Sequence, residues 1–189
     1  MTEKQKLDKI CSIASEWWSE VIKNPKMDNG DDSEGGRLTT MLLHLATSET
    51  SEKQRNEFKQ CLYNQIRPKV ENLETDISTF WLDVDYSPCE NLARCAEQCN
   101  ISLNNFPVKT SMKLTKHCVL VKYGYNSDVE ILYADKWFYN YQIEDLELSI
   151  KHYENTQDEF FKIADKQKII NSLKNKLKIY KNNLKDVKD

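Results

Sequence analysis

Phe80-Trp81-Leu82-Asp83-Val84-Asp85-Tyr86-Ser87-Pro88-Cys89-Glu90 is the stretch where the hydrophobic period of this chain changes. Phe80, Leu82, Val84 and Tyr86 alternate with Trp81, Asp83 and Asp85. Successive side chains on a strand point to opposite faces, so this alternation predicts a half-buried strand. Ser87, Pro88 and Glu90 then read as N-cap, first helical residue and third helical residue of a capping box. A helix is expected to follow to about Asn100, burying Leu92, Cys95, Ala96 and Cys99.

Upstream, the period is helical. Leu7, Ile10, Cys11, Ala14, Trp17, Trp18 and Val21 follow the i, i+3, i+4 pattern over residues 3–23, and Asn24-Pro25 stops it. The adjacent tryptophans read as core residues, with a ligand platform as the alternative. Leu38, Met41, Leu42 and Leu45 share one face of a short helix. A further helix starts near Ser51 with Phe58, Cys61, Leu62, Ile66, Val70 and Leu73 as its stripe, and Pro68 is expected to kink it or end it near Ile66.

Downstream, residues 108–133 read as an antiparallel meander. Val108, Thr110, Met112 and Leu114 share one face, as do Val119, Val121 and Tyr123 on the next strand. Gly124 to Asp128 supplies a turn, and Val129, Ile131 and Tyr133 alternate after it. From about Gln142 the pattern is helical again, with a break expected near 155–166. One continuous helix from 142 to 187 would be about 69 Å long. Folding back, or pairing with a second chain as a coiled coil, hides its stripe instead. The expected fold is α+β: helices on a small, mostly antiparallel sheet in a body over 1–136, and a long C-terminal helical extension over 137–189 as coiled coil or helix hairpin.

The 189 residues are 30% charged and 39% hydrophobic, with only four Gly and four Pro, which excludes collagenous, low-complexity and disordered classes. No apolar run reaches the roughly 20 residues of a membrane span, and no apolar segment follows the charged start, so neither a membrane protein nor a secretory signal is expected. The net charge of −3 divides unevenly. Residues 166–189 hold eight Lys and two Asp and carry +6, leaving −9 on the rest. An acidic body with a basic tail fits an electrostatic partner, although lysine-rich composition also follows from AT-rich codons.

Six cysteines at 11, 61, 89, 95, 99 and 118 lack the paired C-x2-C spacing of a zinc site and read as reduced thiols. Asp83 and Asp85, two apart on a strand, sit about 6.5 Å apart on one face and form the best candidate cation pair. No His or third carboxylate joins them at a telling spacing. The acidic loop at 26–36 departs from a calcium loop, because Gly30 and Thr39 fall on ligand positions when counting starts at Asp28. His117 and Cys118 are neighbours that point to opposite faces of a strand and do not form a dyad. No phosphate-binding glycine motif, nucleophile elbow or H-E-x-x-H occurs. No catalytic residue, metal or cofactor is therefore expected. Asp28, Asp31, Asp32 and Glu34 stand as an acidic partner-binding set. Lys109, Lys113, Lys122 and Tyr125 form a second set that suits a partner surface or a nucleic-acid backbone.

Several short motifs in order carry a resemblance. The Trp17-Trp18 helix, Asn24-Pro25-Lys26-Met27-Asp28-Asn29-Gly30-Asp31, Val84-Asp85-Tyr86-Ser87-Pro88 and Phe106-Pro107-Val108-Lys109-Thr110-Ser111-Met112 resemble a group of small phage and prophage proteins of unassigned role. Those proteins also carry a strand-turn-strand like Val119 to Tyr133. The resemblance covers about residues 15–133, and Val108 replaces the Trp expected there. It implies a mobile-element protein in the cytoplasm of a bacterial host. The implied function is that of an inhibitor that binds a host defence factor, an anti-CRISPR protein being the sharpest form. The implied partner is a host protein or ribonucleoprotein complex. Direct nucleic-acid contact and a metal-dependent hydrolase using Asp83 and Asp85 are the alternatives, and the C-terminal helix offers a homodimer contact.

Overall fold

A computed structural model describes residues 1–23, 25, 33–124, 127–155 and 163–187. The chain divides into two compact units, Met1–Tyr133 and Ala134–Asp189. Among the described residues, six α-helices, one short 3-10 turn and a four-stranded sheet make the protein α+β.

In the first unit, α1 (Glu3–Val21) starts on a Thr2 cap whose side chain accepts from Gln5 N–H while the Gln5 side chain accepts from Thr2 N–H. Its stripe of Leu7, Ile10, Cys11, Ala14 and Trp18 is buried. Trp18 is fully buried, and Trp17 meets it edge-on at 5.0 Å. The pair therefore serves the core, with Trp17 also edge-on to Tyr123 at 5.6 Å. Helix α3 (Glu52–Glu71) packs along α1 and is capped by Ser51 and Gln54 in the same reciprocal way. It runs through Pro68 instead of ending near Ile66, with Asn72 N–H donating to the Pro68 carbonyl beyond. Burial of Ile66 and Val70 against the core outweighs the one backbone hydrogen bond that proline removes.

An ion-pair network crosses the α1–α3 seam. Arg67 Nε donates to Asp8 at 2.7 Å, Tyr63 Oη donates to it at 3.0 Å, and Arg67 Nη1 reaches Glu71 at 2.7 Å. The Arg67 hydrogen bond, then that of Tyr63, holds the Asp8 carboxyl below its usual range.

The sheet runs in the order β1 (Phe80–Val84), β2 (Thr110–Leu114), β3 (Cys118–Lys122), β4 (Val129–Ala134). The first three strands pair antiparallel, with Leu82 opposite Met112 and Met112 opposite Val121. Leu82, Val84, Thr110, Met112, Leu114, Val119 and Val121 point inward and are buried against the helices. Trp81, Asp83, Ser111, Lys113, Leu120 and Lys122 fall on the other face by alternation. Helix α4 (Glu90–Gln98) follows β1 and packs on α3.

The start of α4 corrects the sequence reading. Its N-cap is Cys89, not Ser87, and it has no side-chain cap. Pro88 instead bridges back to Val84, and Cys89 N–H donates to the Asp83 carbonyl at 2.8 Å. The strand end claims these backbone groups before the helix can begin.

Helix α2 (Glu34–Leu45) forms where its period predicts, but Leu38, Met41, Leu42 and Leu45 are all more than half exposed. A buried Asn105 fixes the connection after it. Its amide accepts from Ser48 N–H at 2.9 Å and donates to the Ser48 carbonyl at 2.6 Å and to the Ile22 carbonyl at 3.4 Å.

The second unit holds α5 (Lys136–Asn155) and α6 (Ile163–Asp186) packed antiparallel. Lys174 pairs with Glu154 at 2.8 Å and Lys181 with Glu147 at 2.7 Å. Tyr180 lies against Phe138 and Tyr139 at 6.4 and 6.0 Å. The stripe thus folds back on itself within the chain, and a single helix from 142 to 187 is not what forms. Helix α5 also begins at Lys136, ahead of the expected Gln142, where Asp135 accepts from Phe138 N–H at 3.0 Å. No described helix is long and apolar enough to cross a membrane.

Candidate functional site

Parts of two of the motifs that carry the resemblance, Val84–Asp85 and Lys109–Ser111, meet at one end of the sheet. The end of β1, the start of β2 and the end of β3 border an open, shallow cleft of about 330 Å3 lined by Asp83, Val84, Asp85, Lys109, Thr110, Ser111, Lys122 and Gly124. Register makes the floor of the cleft. Asp83 stands opposite Ser111, and Ser111 opposite Lys122, so the three form a row across the strands.

Lys109 is not a strand residue, although the alternation from Val108 to Leu114 placed it in one. It sits one residue before β2 in the left-handed region at φ 54°, which L-residues rarely adopt. Its N–H donates to the Asp85 carbonyl at 2.9 Å, its ammonium pairs with the Asp85 carboxylate, and the same ammonium lies 4.0 Å from the centre of the Tyr86 ring. These three contacts hold Lys109 in its unusual backbone conformation.

The Asp83–Asp85 pair is split by this arrangement. Asp83 is the last outward residue of β1, whereas Asp85 lies past the strand end and is neutralised by Lys109. Burial pushes the Asp83 carboxyl up from its usual range. Among the described residues, no group of three His, Cys, Asp or Glu side chains is placed to hold a metal ion. The cleft is close to charge balance, with two carboxylates and two ammonium groups along its walls.

Aromatic rings flank it. Tyr86 is 69% exposed at the cleft, and Trp81 is 46% exposed further along β1 on the same outer face as Asp83. Lys113, opposite Trp81 in register, places its ammonium 5.8 Å from the Trp81 ring, and Trp81 Nε1 donates to Thr79 Oγ1 at 3.0 Å. Rigid exposed rings with one polar handle suit protein recognition, because they bury large area at small entropic cost.

The sequence-read candidates separate accordingly. Lys109 and Lys122 meet at the cleft, and Lys113 lies along the outer face beside Trp81. Glu34 opens α2. Asp28, Asp31, Asp32 and Tyr125 lie outside the described residues. Tyr86 and Trp81 were not among the expected site residues, although the alternation in β1 already placed Trp81 on the polar side.

A second polar cluster was also missed. His117, in the turn before β3, accepts at Nδ1 from Lys6 Nζ at 2.9 Å and has its Nε2 3.3 Å from Asp76. With the ring 8% exposed, this Lys-His-Asp chain ties the start of α1 to the β2–β3 turn. Compared with protein-family models and with curated proteins, the chain matches none.

Proposed function

We propose that this protein is a phage- or mobile-element-encoded interaction protein that binds and inhibits a host defence factor, a CRISPR effector nuclease being the sharpest form. The observation that carries the reading is convergence. Val84–Asp85, Lys109–Ser111 and Lys122 with Gly124 are far apart in the chain, yet all line one groove with an exposed ring beside it. The motif residues Trp18, Phe106 and Met112 are buried in the core and are explained by packing; Asp85, Lys109 and Ser111 are not. The near balance of charge at the cleft favours a protein surface over a phosphate backbone, which selects for net positive sites. Inhibition by occupancy requires no catalytic group.

The test is inhibition of purified effector nucleases by the full chain. Trp81→Ala/Tyr86→Ala is expected to lose inhibition at least tenfold while remaining folded. Full inhibition by that variant, or none by the natural chain across the nuclease types of a natural host, counts against the proposal.

The Trp81–Lys113 pair with Lys122 on the same face supports a second reading, in which single-stranded nucleic acid stacks on Trp81. Binding that weakens steeply with added salt is expected there, and binding absent at low salt dismisses it. Dimerisation through the C-terminal helices is proposed on narrower ground. Leu148 and Ile179 remain exposed on α5 and α6 after those helices pack together. Light scattering of the full chain at twice the monomer mass is the expected result; a monomer rejects it.

A further inference from the structure

Helices α3 and α4 bring three thiols to their seam. Cys61 stands on α3, Cys95 on α4, and Cys99 at the α4 C-cap. Cys95 is fully buried, and Cys99 is 6% exposed. Cys61 is half-buried and opens onto a cleft that it lines with Gln65, Lys69, Arg94 and Gln98. Its thiol donates to Gln98 Oε1 at 3.1 Å, and Gln65 Nε2 donates to its sulfur at 3.7 Å. Asn91, Arg94 and Gln98 of α4 line the same cleft as Cys61, and Cys95 lies four residues after Asn91 and three before Gln98 on that side of the helix. Cys95 and Cys99, one helical turn apart, offer a bridge that would restrain nothing between helices. The cross-helix pair joins separate elements.

We infer that Cys61 and Cys95 are an oxidation site, closed by peroxide into a disulfide that staples α3 to α4. Cys61 is the thiol of the pair that solvent reaches, so it reacts first. Its thiolate attacks hydrogen peroxide. An S–O bond forms, the O–O bond breaks, and the departing hydroxide takes a proton to become water. Cys95 sulfur then attacks the sulfenic sulfur of Cys61. The S–S bond forms, the S–O bond breaks, and the leaving hydroxide carries off the Cys95 proton as a second water. Two thiols lose two electrons, and peroxide gains them. Burial raises the Cys95 thiol well above its ordinary range. The bridge closes a loop of about 34 residues and stabilises the fold by restricting the unfolded chain. This inference is independent of the proposed inhibitor role.

The test is peroxide treatment of the full chain, followed by non-reducing peptide mapping and thermal unfolding. The expected result is a linked Cys61–Cys95 peptide pair, lighter by two hydrogen atoms. Tm should rise by about 5–10 °C, and dithiothreitol should reverse both changes. Cys99→Ser is expected to keep both effects, and Cys61→Ser to lose both. Cys61→Ala serves as the second variant if serine perturbs the seam. A bridge through Cys99, or over-oxidised Cys61 with Cys95 still a free thiol, overturns the assignment.

Discussion

The two faces of one sheet are built from alternate residues of the same strands, and they do different work. The inner face, with Leu82, Val84, Met112, Leu114, Val119 and Val121, is buried against α1, α3 and α4. The outer face presents Trp81, Asp83, Lys113 and Lys122, and its end carries the Asp85–Lys109–Tyr86 cluster. Neighbours such as Trp81 and Leu82 differ by one backbone step and by everything that touches them. Removing an inner side chain should cost stability, and removing an outer one should cost binding.

The sharpest break of that comparison is Leu82→Ala. It removes a fully buried side chain and leaves a cavity, so about 3 kcal/mol of stability is expected to go, read by chemical denaturation. Its neighbour Trp81→Ala should shift stability by less than about 0.5 kcal/mol, because the ring is half exposed. Equal losses at both positions would erase the distinction between the faces. Next in size, Asn105→Ala removes the clamp on Ser48 and Ile22 and leaves buried backbone groups unpaired. A loss of about 2 kcal/mol is expected in the same assay. Tyr86→Ala should leave unfolding within about 0.5 kcal/mol of the natural chain while weakening partner binding at least tenfold.

The smallest expected effect is a pH dependence. The folded state lowers the pKa of Asp8 through Arg67 and then Tyr63. A carboxyl depressed in this way contributes stability that is fully present above its unfolded value and is lost as pH falls through the folded value. Tm should therefore drop on acidification below the ordinary carboxylate range, and Asp8→Asn should flatten that limb. Asp83, raised by burial, acts in the opposite direction, since its neutral form suits the fold. An Asp83→Asn protein should lose the small fall in stability that accompanies ionisation of that group.

How far the sequence could be read depends on how local each cause is. The presence of helices α1 and α3 and of strands β1 to β3 was legible because one hydrophobic period decides each of them. The start of α4 was not, because Ser87-Pro88-Cys89-Glu90 has a sound local helix start that a hydrogen bond to Asp83 overrides. Helices α1 and α2 make the same point about burial. Both carry apolar stripes at helical spacing, yet Trp18 is fully buried while Leu38, Met41, Leu42 and Leu45 are exposed. Periodicity reveals that a face is apolar, and only tertiary structure decides what covers it. At the site, the Asp85–Lys109 pair joins residues far apart in sequence and depends on register and on a left-handed backbone at Lys109. No local pattern announces a lysine at positive φ. Lys113 and Lys122 were readable as outward residues, whereas the role of Tyr86 required the cleft.

The central claim is that the outer end of the sheet is the inhibitory surface, and a plating assay tests it most directly. Phage carrying a CRISPR-targeted sequence would be plated on a host expressing either the natural chain or Trp81→Ala/Tyr86→Ala, with the two folded proteins present in equal amounts. The account predicts that the natural chain restores plaques and the double variant does not. Equal protection by both, or by neither, would contradict it.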